Sequence, residues 1–165
     1  MNNAVVSLGS NLGDRLSNLS AAIDRISALP CRLLKSSSVY ETAPWGNTHQ
    51  PSFLNQVIEV ETGHDVSSLM TGLLSVEEAL GRKRMQKWEP RVIDLDILFF
   101  NEDIVETEKV VIPHRHLHER RFVLEPLHEI LPLKVHPGLK KNISRLLEEL
   151  NDTGESKKIA ATGTT

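Results

Sequence analysis

Two aspartates inside the most apolar run of the chain are the first residues that invite a chemical reading. In Ile93-Asp94-Leu95-Asp96-Ile97-Leu98 the acids stand two positions apart. On a strand they share one face, while Ile93, Leu95 and Ile97 share the other. Paired carboxylates repel and are costly to desolvate, and a hard divalent cation relieves both costs. Mg²⁺ suits such a pair, because it takes one or two protein carboxylates and completes its shell with phosphate oxygens. The plain alternative is the solvated face of a half-buried strand with incidental acids.

Cations flank this strand. Arg82, Lys83, Arg84, Lys87 and Arg91 lie within ten residues against one acid, Glu89, and Lys109, Arg115, Arg120 and Arg121 follow with His114, His116 and His118. Cations beside a metal–carboxylate pair are what triphosphate chemistry requires. A basic loop alone would be ordinary solvated surface; next to two acids in an apolar strand it points to a polyphosphate site. Neither a P-loop nor a Gly-x-Gly-x-x-Gly pattern occurs. Gly9-Ser10-Asn11-Leu12-Gly13 reads as a strand-to-helix turn in preference to a phosphate loop. The three histidines invite a zinc-hydrolase reading, but Pro113 interrupts a strand there and a helix would not bring all three together. His114 as a phosphate donor is preferred.

The elements that must position these groups follow from periodicity. A short strand over 4–8 ends in the 9–13 turn, and Asp14 caps a helix carrying Leu16, Leu19, Ile23, Ile26 and Leu29 until Pro30. A strand is expected over 32–41, then a loop with Pro44 and Pro51, an alternating strand over 53–61 and a helix over 66–80 stopped by Gly81. The apolar strand covers 92–100, a short strand 110–112, and helices 117–131 (despite Pro126) and 143–150. Residues 151–165 are polar and expected to fray, which leaves one domain over 1–150. This order predicts an α+β, ferredoxin-like sandwich, an antiparallel sheet with helices on one face and the other face free for a ligand.

Composition bounds the rest. The chain has 165 residues, 39% hydrophobic and 25% charged, with a net charge of −3. That balance argues against a general nucleic-acid binder. No apolar run is long enough to span a membrane and no secretory leader is evident, so membrane association is not expected. The single cysteine, Cys31, excludes an internal disulfide and a Cys-rich zinc site. A cytoplasmic protein, monomeric or weakly oligomeric, is expected. All seven aromatic residues fall between Tyr40 and Phe122. Either the central strands favour them or they serve a flat ligand.

Several motifs in register resemble one family. The run Lys87-Trp88-Glu89-Pro90-Arg91-Val92-Ile93-Asp94-Leu95-Asp96 is similar to the signature of the 6-hydroxymethyl-7,8-dihydropterin pyrophosphokinases of folate biosynthesis. So are Leu8-Gly9-Ser10-Asn11-Leu12-Gly13-Asp14, the run from Ser37 to Gly46, Phe53-Leu54-Asn55, Glu77 to Arg84, Ile112-Pro113-His114 and Arg120-Arg121-Phe122. The resemblance implies transfer of pyrophosphate from ATP to the pterin hydroxymethyl group with release of AMP. It implies that Asp94 and Asp96 hold two Mg²⁺ ions and that Arg82 and Arg91 stabilise the transferring group. Glu77, Arg84, Lys87, Ile97, Lys109, His114, Arg115 and Arg120 would surround the nucleotide. Thr42, Ala43, Trp45, Phe53, Asn55 and Phe122 would bind the pterin, with Phe122 stacked on its ring.

The chain departs from the family pattern in places. Phe53 replaces a common tyrosine, Leu74 a frequent glutamine, and Glu89 a small residue; Val111 and Arg115 also differ, and the 81–90 loop is one residue shorter. The 82–91 loop, with only Met85 and Trp88 as apolar anchors, is expected to act as a lid. A zinc hydrolase and a non-catalytic ligand-sensing module are the rival readings.

Overall fold

Capping residues and glycines place the main elements. The computed structural model describes residues 1–42, 51–82, 90–151 and 156–160. Strand β1 (Asn2–Ser10) runs into the expected turn, and the Asp14 carboxylate accepts from the Ser17 amide (3.2 Å) to start α1 (Arg15–Ser27). Strands β2 (Cys31–Ser36), β3 (Val39–Thr42) and β4 (Phe53–Thr62) follow. Asp65 caps α2 (Val66–Ala79) through the Ser68 amide (2.8 Å), and β5 (Asp94–Phe100) completes the βαβββαβ core, in which β2 and β3 are the two halves of the second strand of the ferredoxin-like plan. Beyond it lie β6 (Val105–Glu106), β7 (Val111–Ile112), a short 3₁₀ turn at Leu117–Glu119, α3 (Arg121–Ile130), α4 (Ile143–Glu148) and β8 (Ser156–Ala160).

The main sheet has the order β5-β1-β4-β3-β8, with β2 also paired to β4, and every pair is antiparallel. This is the expected α+β ferredoxin-like plan in one domain. Ala4, Val6 and Leu8 of β1 pack against Leu19 and Ile26 of α1 and Leu69 and Leu73 of α2. The opposite face departs from expectation. It is not free along its length, because Val5, Val57 and Phe99 form a second core with Leu124 and Leu127 of α3 and Ile143 of α4. β1 is therefore buried on both faces over Val5 and its neighbours, and its sequence is continuously apolar there.

Other boundaries differ for identifiable reasons. The strand expected over 32–41 is two strands, broken at Ser37 and Ser38. The Ser37 hydroxyl accepts from the Val57 amide (2.9 Å), and the Glu129 carboxylate accepts from the Ser38 amide and hydroxyl. The helix expected over 117–131 is interrupted at Arg120, whose backbone is extended (φ −122°, ψ 113°). The 110–112 strand exists but belongs to a separate ribbon with β6. Residues 156–160, read as part of a frayed tail, instead add an edge strand on β3, with Tyr40 opposite Lys158.

Candidate functional site

A cross-strand row builds the site. Asp94 on β5 lies opposite Gly9 on β1, Gly9 opposite Asn55 on β4, and Asn55 opposite Tyr40 on β3. Asp96 lies opposite Ser7 in the next row but one. Strand spacing places Asp94 and Asn55 about 10 Å apart across Gly9. The two acids share a face as the alternation demands, and Ile93, Leu95 and Ile97 are buried on the other. A bulge between Val5 and Val6 in the β1–β5 pairing takes up one residue beyond the acids.

Arg82 is aimed by the end of α2. Gly81 has φ +95°, its amide bonds the Glu78 carbonyl, and the Arg82 amide bonds the Glu77 carbonyl. This is a Schellman stop, in which the left-handed residue turns the chain back over the helix end. From there Arg82 Nη1 donates to Glu77 Oε2 (2.6 Å) and to Asp94 Oδ1 (2.9 Å). Arg91 Nη1 donates to the other Asp94 oxygen (2.9 Å). Glu77, with 5% of its side chain exposed, also accepts from the Leu95 amide (2.7 Å). Burial pushes its carboxyl up, opposed by the Leu95 amide and Arg82.

Asp96 has a different environment. Desolvation on the sheet face, with repulsion from Asp94 and Glu77, pushes its carboxyl above the usual range. Since 47% of the side chain is still exposed, an added cation can reach it and relieve the repulsion. Its nearest partner among the described residues is His114 Nε2, at 3.9 Å. Burial, with Arg120 and His116 nearby, lowers His114 to about 4, so the ring is neutral at pH 7. Its Nδ1 accepts from the His116 amide (3.2 Å), which leaves the proton on Nε2, facing Asp96. His116 and His118 turn instead to Glu119 and His136. Among the described residues no three metal-ligating side chains of the His/Cys/Asp/Glu type converge as a zinc triad would require.

The other end of the row is neutral and internally bonded. Asn55, 7% exposed, donates from Nδ2 to Thr42 Oγ1 (2.7 Å). A Cβ on Gly9 would lie 3.2 Å from Asn55 Oδ1 and 3.5 Å from the Phe53 ring, so the absent side chain leaves room for both. The Arg120 guanidinium sits 5.5 Å from the Phe122 ring centroid and acts electrostatically on both Asp96 and His114.

The structure thus gathers Arg82, Arg91, Asp94, Asp96, Glu77, His114 and Arg120 at one end, and Thr42, Phe53 and Asn55 at the other. Ile97 does not present a side chain to this surface: it is 3% exposed and packed in the helix-side core. A nucleotide role for it rests on its main chain. Lys109 and Arg115 are exposed on the segments around β7. Ala43, Trp45, Arg84 and Lys87 lie outside the described residues. Asn11 was not singled out by sequence. Its main-chain N–H donates to the Arg91 carbonyl (3.0 Å), its Oδ1 accepts from the Arg91 amide (2.7 Å), and its Nδ2 donates to the Pro51 carbonyl (3.3 Å). Asn11 is 1% exposed, a burial made by partners 80 and 40 residues away that no local sequence pattern announces.

The chain is similar to known proteins. The family model described as 7,8-dihydro-6-hydroxymethylpterin-pyrophosphokinase (HPPK) matches residues 5–132. A 2-amino-4-hydroxy-6-hydroxymethyldihydropteridine pyrophosphokinase of Methylorubrum extorquens is 41% identical over 155 residues, covering 93% of this chain and 97% of the relative. One from Bacillus subtilis is 43% identical over 132 residues, 79% of each chain. Among solved structures, a Plasmodium falciparum HPPK-DHPS protein superposes with a TM-score of 0.72 at 17% identity, over 90% of this chain and 45% of that one. That likeness concerns the fold.

Proposed function

Because this chain belongs to the 7,8-dihydro-6-hydroxymethylpterin-pyrophosphokinase family, we propose a division of labour along the Asp94–Gly9–Asn55 row. The reaction is transfer of pyrophosphate from ATP to 6-hydroxymethyl-7,8-dihydropterin in folate biosynthesis. The hydroxymethyl oxygen bonds the β-phosphorus, the bond from that phosphorus to the α-phosphate oxygen breaks, and AMP leaves. Positioning and charge neutralisation serve this step better than covalent catalysis.

The acid end is suited to the triphosphate. Asp94 and Asp96 offer hard oxygen donors on one face, and the repulsion at Asp96 is what a divalent cation relieves, so the pair fits Mg²⁺. Two Mg²⁺ ions held there would supply charge neutralisation of the phosphate oxygens. Arg82 and Arg91 point at the same place from two independent anchors, the α2 stop and Asn11, and are the groups we assign to the transferring phosphates. The neutral His114 Nε2–H is a further donor, with Arg120 beside it. Glu77 serves by holding Arg82 and Leu95. Lys109, Arg115 and the main chain of Ile97 complete the proposed nucleotide side, with Arg84 and Lys87.

The neutral end is suited to the pterin. Asn55 and Thr42 present amide and hydroxyl edges, while Phe53 and Phe122 offer flat apolar faces. Ala43 and Trp45 belong to the same proposed set. The observation that carries this reading is the row itself, which holds the charged and neutral ends about 10 Å apart on β5 and β4, the two strands that flank β1. Among the described residues no helix is long and apolar enough to cross a membrane. The lone, buried Cys31 is in keeping with a reducing, cytoplasmic setting.

Nucleotide product analysis tests the proposal. With ATP, Mg²⁺ and 6-hydroxymethyl-7,8-dihydropterin, AMP should form one-to-one with pterin diphosphate. Omitting the pterin or chelating the metal should abolish it. ADP as the product would overturn the pyrophosphoryl assignment, and undiminished turnover under chelation would overturn the metal assignment.

A further inference from the structure

The ends of β3 and β4 nearest the proposed pterin residues are tied to α1 by one side chain. Arg15, the first residue of α1, donates from Nη1 to Glu41 Oε2 (3.1 Å), to the Ser52 carbonyl (2.9 Å) and to Ser52 Oγ (3.1 Å). The Ser52 hydroxyl donates in turn to the same Glu41 oxygen (2.9 Å). The triangle is part-buried, with 29% of the Arg15 and 37% of the Glu41 side chain exposed. The Ser52 hydroxyl and the Arg15 guanidinium hold the Glu41 carboxyl below its ordinary range, so the pair is charged at neutral pH.

Its position gives this cluster a consequence. Glu41 immediately precedes Thr42, and Ser52 immediately precedes Phe53. Thr42 and Phe53 are cross-strand partners, and Thr42 Oγ1 takes the Asn55 amide. The clamp therefore fixes the separation of the two strand ends at the residue before each proposed pterin contact. The same turn that starts α1 supplies a second tie, from Asn11 Nδ2 to the Pro51 carbonyl. Nothing in the triangle touches Asp94, Asp96, Arg82 or Arg91.

We propose that Arg15, through Glu41 and Ser52, is a positioning residue for the pterin and sets affinity for that substrate without setting affinity for ATP. This rests on the assignment of Thr42, Phe53 and Asn55 to the pterin. Charge-assisted hydrogen bonds of this kind hold geometry more tightly than neutral ones, and a small displacement of positioning groups costs binding steeply.

Steady-state kinetics on Arg15→Met, Arg15→Lys and Glu41→Gln test it, with each substrate varied in turn and melting temperature recorded. Arg15→Met should raise KM for the pterin roughly tenfold while KM for ATP changes by less than about twofold. Arg15→Lys, which keeps a charged donor, should recover part of the loss, and Glu41→Gln should fall between. Equal weakening of both substrates would reduce the triangle to a structural staple and overturn the proposal. An unchanged pterin KM in a folded Arg15→Met enzyme would do the same. If Arg15→Met does not fold, Glu41→Gln alone decides by the same split. Wild-type turnover is the separate control: its absence would count against the pterin reading itself.

Discussion

The two ends of the Asp94–Gly9–Asn55 row are built on opposite principles. At the Asn55 end the donors and acceptors already satisfy one another: Asn55 bonds Thr42, and Arg15, Glu41 and Ser52 close a triangle behind them. At the acid end satisfaction is uneven. Asp94 is held by two arginines, while desolvation and repulsion from Asp94 and Glu77 push the Asp96 carboxyl up, and its nearest partner among the described residues is a neutral imidazole at 3.9 Å. A pocket for a neutral, flat ring works best preorganised, because ordering it on binding would cost affinity. A site for a polyanion and its cations must hold mutually repelling charge in readiness, and folding stability bears that cost.

The sharpest way to break this contrast is to remove one acid. Asp94→Ala or Asp96→Ala should lower turnover by about a thousandfold or more at saturating Mg²⁺, with the circular dichroism spectrum unchanged. Asp96→Asn should be equally inactive yet melt at the same or a higher temperature, because desolvation and repulsion from Asp94 and Glu77 outweigh the attraction of Arg120 and Arg82 for the Asp96 charge. A wild-type rate in either alanine variant would refute the acid assignment, and a large drop in the melting temperature of Asp96→Asn would refute the idea of an unsatisfied end.

Gly9 separates the ends and tests whether they are independent. An added Cβ at 3.2 Å from Asn55 Oδ1 requires that amide to give by a few tenths of an ångström, while the Phe53 ring at 3.5 Å stays in ordinary contact. Gly9→Ala should raise pterin KM by roughly fivefold to twentyfold and leave ATP KM nearly unchanged. Loss of ATP affinity in parallel would show that β1 couples the two ends instead of partitioning them.

The smallest effect concerns the support behind the neutral end. Burial works against charge on Glu129, but the Tyr40 hydroxyl, the Ser38 hydroxyl and the Ser38 amide outweigh it and hold the carboxyl below its usual range. A folded value below the unfolded one gives stability that is complete above the unfolded value and is lost as pH falls through the folded one. Melting temperature should therefore decline below about pH 4.5, and Glu129→Gln should flatten that decline. Parallel curves for the two proteins would exclude Glu129 as its source.

What sequence revealed and concealed divides along the same line of reasoning. The face shared by Asp94 and Asp96, the caps at Asp14 and the stop at Gly81 depend on spacing over a few residues, and each was legible. The break at Ser37 and Ser38 depends on Glu129, some ninety residues away, and no local pattern announces it. The pairing of 156–160 with β3 escaped notice because a polar strand at a sheet edge lacks the apolar alternation that marks an inner one. Ile97 was assigned to the nucleotide by resemblance, whereas alternation along the strand already directed its side chain to the core. Asn11 was seen as part of a turn, and its three bonds to Arg91 and Pro51 emerge only when distant segments meet.

The Schellman stop at Gly81 has a consequence for how the acid end is held. Arg82 takes its aim from the end of α2, and Arg91 takes its own from Asn11. The seven residues between Lys83 and Glu89 are therefore bracketed by two arginines whose anchors lie outside the stretch. The described bonds that aim the two guanidiniums at Asp94 come from outside that stretch, so the grip on Asp94 is set by the parts of the chain that flank it.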